Sequence, residues 1–185
     1  MTYYGGKELA AAFRTVRNNT IKIAEEIPEN RYGFTPAPDT KSIGQTLAHI
    51  ATSTGFQSHM HQNKITDMKT VNFMELMQTF GAEENKPRTK AETIAFLTSQ
   101  GDAFALFLES LPESFLAEQV TMPPGMQPAT KSRFEMLLSA KEHEMHHRGQ
   151  LMTMQRMNGI VPHITRDFQE RMAQRAAQAA AAPAR

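Results

Sequence analysis

Three times the chain writes the same helix-start signal, and this constrains its fold more than any other feature. Ser42-Ile-Gly-Gln45, Thr89-Lys-Ala-Glu92 and Ser132-Arg-Phe-Glu135 each set a hydroxyl three residues ahead of a Glu or Gln. In that spacing the two side chains can satisfy the free amide hydrogens of a helix's first turn. The first box opens a helix expected to run to about residue 62. The second opens one through Ile94, Leu97, Phe104, Leu106 and Phe107 to about residue 110, and the third opens one that ends near Asn158-Gly159, with Pro162 closing the turn. A further helix covers residues 7–27, where Leu9, Phe13, Val16, Thr20, Ile23 and Ile27 recur at three- and four-residue steps.

The connections are read from helix breakers. Residues 28–41 contain Pro28, Pro36 and Pro38 and form a long, partly extended link; residues 111–131 contain Pro112, Pro123, Pro124, Gly125 and Pro128 and read as a crossover or loop. Between residues 64 and 88 the pattern weakens. Phe73, Leu76, Met77 and Phe80 predict a short helix, and Gly81 followed by Glu83-Glu84-Asn85-Lys86-Pro87 predicts an exposed loop. No alternating strand pattern is long enough to trust. Residues 1–165 are expected to form one domain, and residues 166–185 an Ala/Gln/Arg-rich tail, partly helical or disordered, because it has almost no large apolar side chains to bury.

Composition narrows the chemistry. Lys plus Arg (20) nearly balances Asp plus Glu (19), so no field points to nucleic acid or a membrane surface. The N-terminal residues lack the basic start and apolar run of a secretory signal, and a soluble, cytoplasmic protein is expected. The absence of cysteine removes disulfides and thiolate ligands, leaving imidazole and carboxylate to hold any metal. Thirteen methionines suit an irregular helix-packed core.

The sharpest chemical signal is Lys141-Glu-His143-Glu144-Met-His146-His147-Arg148-Gly-Gln150, which holds three of the seven histidines within five residues. On a helix, His143 and His147 lie about 40° apart and one turn up, so both imidazoles can reach one ion. On the helix of residues 43–62, His49 shares a face with Ser42, Gln45, Thr46 and Ser53, beside the stripe Ile43, Leu47 and Ile50. The wheel alone leaves His49 either as a quiet surface histidine or as a third ligand. His59 and His61 look solvent-facing.

Three metal readings follow. His143-Glu-Met-His-His147 matches H-E-x-x-H, the zinc-protease helix with the glutamate as base, but the metzincin extension fails at Gln150 and Thr153, and a downstream glutamate ligand could only be Glu170. Glu144 and His147 form an E-x-x-H step of the di-iron kind, but no second step exists and residues 42–63 hold no acidic residue. The third reading is mononuclear, with His143 and His147 joined by His49, leaving coordination positions open as in catalytic zinc sites. Glu144, about 100° around the helix, is a base or a solvated side chain; Gln150 is a candidate contact to ligand or substrate, and Arg148 a structural ion pair or dimer contact.

The order Arg31-Tyr-Gly-Phe-Thr-Pro36, Ser42-Ile-Gly-Gln-Thr-Leu-Ala-His49, Pro124-Gly125, His143-Glu-Met-His-His147-Arg-Gly-Gln and Gly159-Ile-Val-Pro162 resembles the DinB-like (DinB/YfiT) superfamily over residues 7–162. The specific parts are Leu-Ala-His49 and His-x-x-x-His147-Arg-Gly-Gln. The resemblance implies an all-α four-helix bundle with a long first connection and a crossover before the last helix. It also implies a homodimer and one divalent metal ion, zinc or nickel, on His49, His143 and His147. Members with assigned chemistry include transferases that use a low-molecular-weight thiol as co-substrate. The function expected is therefore a metal-dependent transferase or hydrolase acting on a small molecule, activating a thiol or water. The alternatives are a non-catalytic metal-binding stress-response protein and an HExxH-type zinc protease.

Overall fold

The computed structural model describes residues 4–181. Four long helices make the frame: α1 (Gly6–Glu26), α2 (Ile43–Gln62), and, after the shorter α3 (Phe73–Glu84), α4 (Lys90–Glu109); the crossover brings in α5 (Glu113–Leu116) and then α6 (Arg133–Met157). Helices α1 and α2 stand diagonally across the core; each packs against both α4 and α6, closing a four-helix bundle. A seventh helix, α7 (His163–Ala181), follows the bundle.

The helix starts obey local chemistry. Ser42 Oγ accepts from Gln45 N at 3.2 Å while Gln45 Oε1 accepts from Ser42 N at 2.9 Å. Thr89 and Glu92 close the same reciprocal box on α4. Ser132 caps α6 through its hydroxyl alone, since Glu135 turns instead to Lys131. Gly159 ends α6 with φ +75°, the left-handed conformation that glycine adopts without a Cβ penalty.

Two of the three apolar clusters fill most of the bundle, and the third, around Met60, Met68, Val120 and Met136, lies against the crossover. One of the first two gathers Ile23, Ile27, Ile43, Leu47, Leu97 and Leu151; the other gathers Leu9, Phe13, Phe104, Leu108 and Leu137. Phe13 and Phe104 meet edge to face at 5.0 Å between centroids. Between the clusters the core is crossed by an ion pair. Arg17, 3% exposed, donates through Nε to both Glu144 oxygens at 3.0 and 3.1 Å, through a terminal nitrogen to the Leu97 carbonyl at 2.6 Å, and through the other to the Ile50 carbonyl at 3.3 Å. One side chain of α1 thus ties α2, α4 and α6 together. Gly101 makes room for it, since a Cβ there would sit 2.8 Å from Arg17 Cγ. Gly101 is thus a packing requirement of α4.

Two expectations change. The helix at Phe73 does not stop at Phe80 but continues to Glu84, capped at its start by Asn72, so Glu83 and Glu84 are helical rather than loop. The crossover of residues 111–131 holds α5 and an antiparallel pair of three-residue strands, β1 (Gln119–Thr121) and β2 (Thr130–Ser132). Residues 166–181 of the tail, expected to be partly helical or disordered, are helical within α7, which begins at His163 and is exposed from residue 168 to 180; residues 182–185 lie outside the described residues. No helix among the described residues is long and apolar enough to cross a membrane.

Candidate metal centre

Helices α2 and α6 meet with His49 opposite the His143–His147 pair. The Nε2 atoms of His49 and His143 are 3.2 Å apart, and those of His147 and His143 3.1 Å apart. One ring nitrogen from each histidine lies within 4.8 Å of the other two, and all three side chains are half-buried. Two nitrogens each ~2.0–2.1 Å from a common ion stand about 2.9 Å apart at a right angle and about 3.4 Å apart at a tetrahedral angle. The observed separations fall between these limits.

The outward nitrogens explain why the inward ones converge. His49 Nδ1 lies 2.7 Å from Glu84 Oε2, and His147 Nδ1 lies 2.8 Å from Gln150 Oε1. Both partners accept, so each Nδ1 carries the hydrogen and each Nε2 offers a lone pair to the centre. His143 Nδ1 is buried without a hydrogen-bond partner. In a neutral His143, a single Nε2–H would have to serve two acceptors at once. Three imidazoles so arranged fit a cation better than one another.

Electrostatics agree. Burial, reinforced by His147, His49 and His146, pushes the His143 pKa down to about 4. Burial also lowers that of His147, although the bond to Gln150 opposes it. Burial acts to raise the Glu84 pKa, but hydrogen bonds from Lys41 and His49 outweigh it and hold the carboxyl below its usual range. At neutral pH the centre is therefore two imidazoles held neutral near a carboxylate that Lys41 pairs.

The remaining residues singled out from the sequence divide. Gln150 reaches the centre through His147, and its amide nitrogen also donates to His146 Nε2 at 3.2 Å, with His146 itself outside the triad. Glu144 is neither a base nor solvated. It is 1% exposed and committed to Arg17 in the bundle interior, so the glutamate that an HExxH protease needs beside its metal is occupied elsewhere. Arg148 makes no ion pair among the described residues, and its Nε is buried without a partner. His61 is 1% exposed, not solvent-facing, and accepts from an Arg133 terminal nitrogen at 3.2 Å. Burial, with the Arg133 charge, pushes its pKa down to about 4.

Glu84, bonded to His49, is the residue beside the triad that the sequence reading does not single out. A signal was present, because the stripe Phe73, Met77, Phe80 continues at a four-residue step to Glu84. Lys41 was likewise passed over as part of a connection, although it joins Glu84 at the rim of the centre.

Two cavities flank the triad. One of about 500 Å³ lies between α2, α3 and α6 against His49 and His143. The other, about 410 Å³, lies against His147, Gln150 and Thr153. Lys41 borders both.

Comparison with known proteins agrees with this architecture. Residues 12–151 match the model of the DinB superfamily. The uncharacterized protein YjoA of Bacillus subtilis is 24% identical over 152 residues, covering 82% of this chain and 90% of YjoA. The crystal structure of YjoA, a DinB-like protein, aligns with a TM-score of 0.61 at 21% identity, covering 82% of this chain and 92% of that one. YfiT, also from Bacillus subtilis, aligns with a TM-score of 0.65 at 11% identity over 86% of this chain and 91% of YfiT. It is described as a probable metal-dependent hydrolase with an unusual four-helix bundle topology. A protein from Clostridium difficile aligns with a TM-score of 0.62 at 12% identity over 84% of this chain and 98% of its own.

Proposed function

The chain belongs to the DinB superfamily, and within it we propose a mononuclear metalloenzyme that holds one divalent ion, zinc or nickel, on His49, His143 and His147. The observation that carries this reading is the orientation of the triad: two of its three histidines have their outward nitrogens engaged by acceptors, which turns their Nε2 lone pairs on the third. Such a set leaves positions open for water or substrate, and a divalent ion held there supplies Lewis acidity and draws the pKa of a water or thiol toward neutrality.

The protein's own groups supply the rest. Glu84 and Gln150 fix ring tautomer and angle, and Lys41 neutralises Glu84. The two cavities give a small-molecule substrate and a second reactant separate approaches to the triad. The reaction is hydrolysis or transfer on a small molecule, with water or a low-molecular-weight thiol as the nucleophile. The description of YfiT as a probable metal-dependent hydrolase supports the hydrolytic form. No residue besides the triad and its orienting partners is assigned to catalysis, since Glu144 is spent on Arg17. We further propose that the protein acts in the cytoplasm as a homodimer, for which the exposed apolar side chains of Val161, just before α7, and of Phe168 and Met172 on it offer surface.

The test is elemental analysis followed by assay. Purified protein should carry about one equivalent of divalent metal, which His49→Ala and His147→Ala should each reduce sharply. The loaded protein should then turn over at least one member of an ester, amide and thiol–electrophile panel. Undiminished metal in both variants would overturn the site. Full metal with no turnover across the panel would favour the non-catalytic binding protein instead.

A further inference from the structure

The cavity of about 500 Å³ beside His49 and His143 joins two unlike surfaces. The two histidines stand at one end. Beyond them lies an apolar wall of Phe56, Met77 and Phe80, in which the Phe56 and Phe80 rings are 6.5 Å apart at 71° and Phe56 is backed by Phe73 at 6.1 Å. The sequence sets the span between them. Phe56 follows His49 by seven residues on α2, which places it about 20° around the helix and about 10 Å along it, on the same face. Phe80 precedes Glu84 by four residues on α3, so the helix whose carboxylate orients His49 carries part of the wall one turn earlier. The volume lies within the ~300–1,000 Å³ usual for small-molecule sites.

Charge decides what the histidine end attracts. Histidines aside, Lys41 and Glu84 are the only charged side chains lining the cavity, and they pair with each other. A divalent ion on three imidazoles, each neutral when it ligates, would therefore face the cavity with both charges uncompensated by a side chain. An anion is favoured there over a neutral molecule of the same shape. The hydroxyls limit which anion. Thr52, Ser53 and Ser139 donate to the carbonyls of Ala48, Ile50 and Met136 on their own helices, so a head group of many oxygens finds none of these hydroxyl hydrogens free. A carboxylate has only two oxygens to satisfy, and both suit a divalent ion.

We propose that this cavity takes an arylalkyl monocarboxylate, with its carboxylate at the His49 and His143 end and its ring against Phe56, Met77 and Phe80. The proposal names the substrate class of the centre and rests on the metal reading for the preference for an anion. The preference for a ring depends on the cavity wall.

The probes are 2-naphthylacetate, acetate, which lacks the ring, and 2-naphthylacetamide, which lacks the charge. NMR titrations use the full chain loaded with zinc and its His147→Ala variant, whose changed residue does not line this cavity; zinc content is measured in parallel. In the loaded protein 2-naphthylacetate should bind at least tenfold more tightly than acetate, through the wall, and at least tenfold more tightly than the amide, through the ion. In zinc-poor His147→Ala the advantage over the amide should fall near one. Phe80→Ala and Met77→Ala, the latter at a side chain 52% exposed, should keep zinc and acetate binding while lowering the advantage over acetate several-fold. The proposal is overturned if the zinc-loaded protein binds 2-naphthylacetate no more tightly than acetate, or no more tightly than the amide, or if both wall variants leave the advantage over acetate unchanged. A failure of the metal reading appears separately and without any probe, as zinc content indifferent to His147→Ala.

Discussion

Removing Arg17 should cost as much stability as removing a large apolar side chain from the core around it. Both partners are almost fully buried, at 3% and 1% exposure, and four of the guanidinium's contacts are to groups of three other helices. Arg17→Met keeps much of the side-chain volume but leaves the Glu144 carboxylate inside the bundle without its counter-charge. Breaking a buried pair from one side costs about 3–5 kcal/mol, against a total stability of ~5–15 kcal/mol for an ordinary domain. For a chain of this length that corresponds to a fall in Tm of roughly 6–20 °C. The double variant Arg17→Met, Glu144→Leu removes both charges, and should regain at least half of the loss because an apolar pair of similar volume has no ion to desolvate. The assay is urea unfolding of the four proteins of the cycle, with the slope checked for constancy. The reasoning is refuted if Arg17→Met costs less than about 1 kcal/mol, or if the double variant is as unstable as the sum of the singles.

Other outcomes follow from the same geometry. Gly101→Ala should destabilise by about 1–3 kcal/mol in spite of alanine's better helix propensity, because the new Cβ meets Arg17 Cγ at 2.8 Å; a more stable variant by thermal melting would contradict this. Glu84→Ala should weaken metal binding about 10–100-fold, measured by competition with a chelating dye, whereas Glu84→Gln, which still accepts from His49 Nδ1, should lose less; equal affinity in all three proteins would exclude an orienting role. His61 supplies a pH test. Its native pKa is about 4 and its unfolded value about 6.5, so the unfolded chain takes up the proton first. The associated stability is complete above pH ~6.5 and lost as the pH falls toward 4, by up to about 3 kcal/mol. Urea midpoints at pH 7.5 and 4.5 should therefore converge in His61→Gln relative to the parent, and an unchanged difference would remove His61 from the acid response.

How much of this could be read from the sequence depended on whether the deciding contact was local. The starts of α2, α4 and α6 were legible because each cap is written within four residues. His143 and His147 were legible for the same reason, and His49 became so through its own helix face and the resemblance. Glu144 was misjudged because a helical wheel gives an angle but not what stands opposite, and what stands opposite is Arg17, 127 residues earlier. His61 looks solvent-facing on the helix of residues 43–62 alone, yet Arg133, 72 residues later, and the ring of Phe115 cover it. Glu84 was hidden twice. The helix that carries it has no large apolar residue in its last turn, and its meaning lies in a partner 35 residues away.

The placement of Glu84 has a thermodynamic consequence. Helix α3 buries none of its residues and packs chiefly on α2, so its local unfolding costs far less than opening the bundle, and its amides should exchange before those of α1, α2, α4 and α6. Yet this helix carries both the carboxylate that orients His49 and the Phe80 wall of the larger cavity. Order in α3 and the readiness of His49 to bind are thus one equilibrium seen from two sides. Whatever occupies the cavity and steadies α3 tightens the centre, and by reciprocity whatever occupies the centre steadies α3 by the same factor.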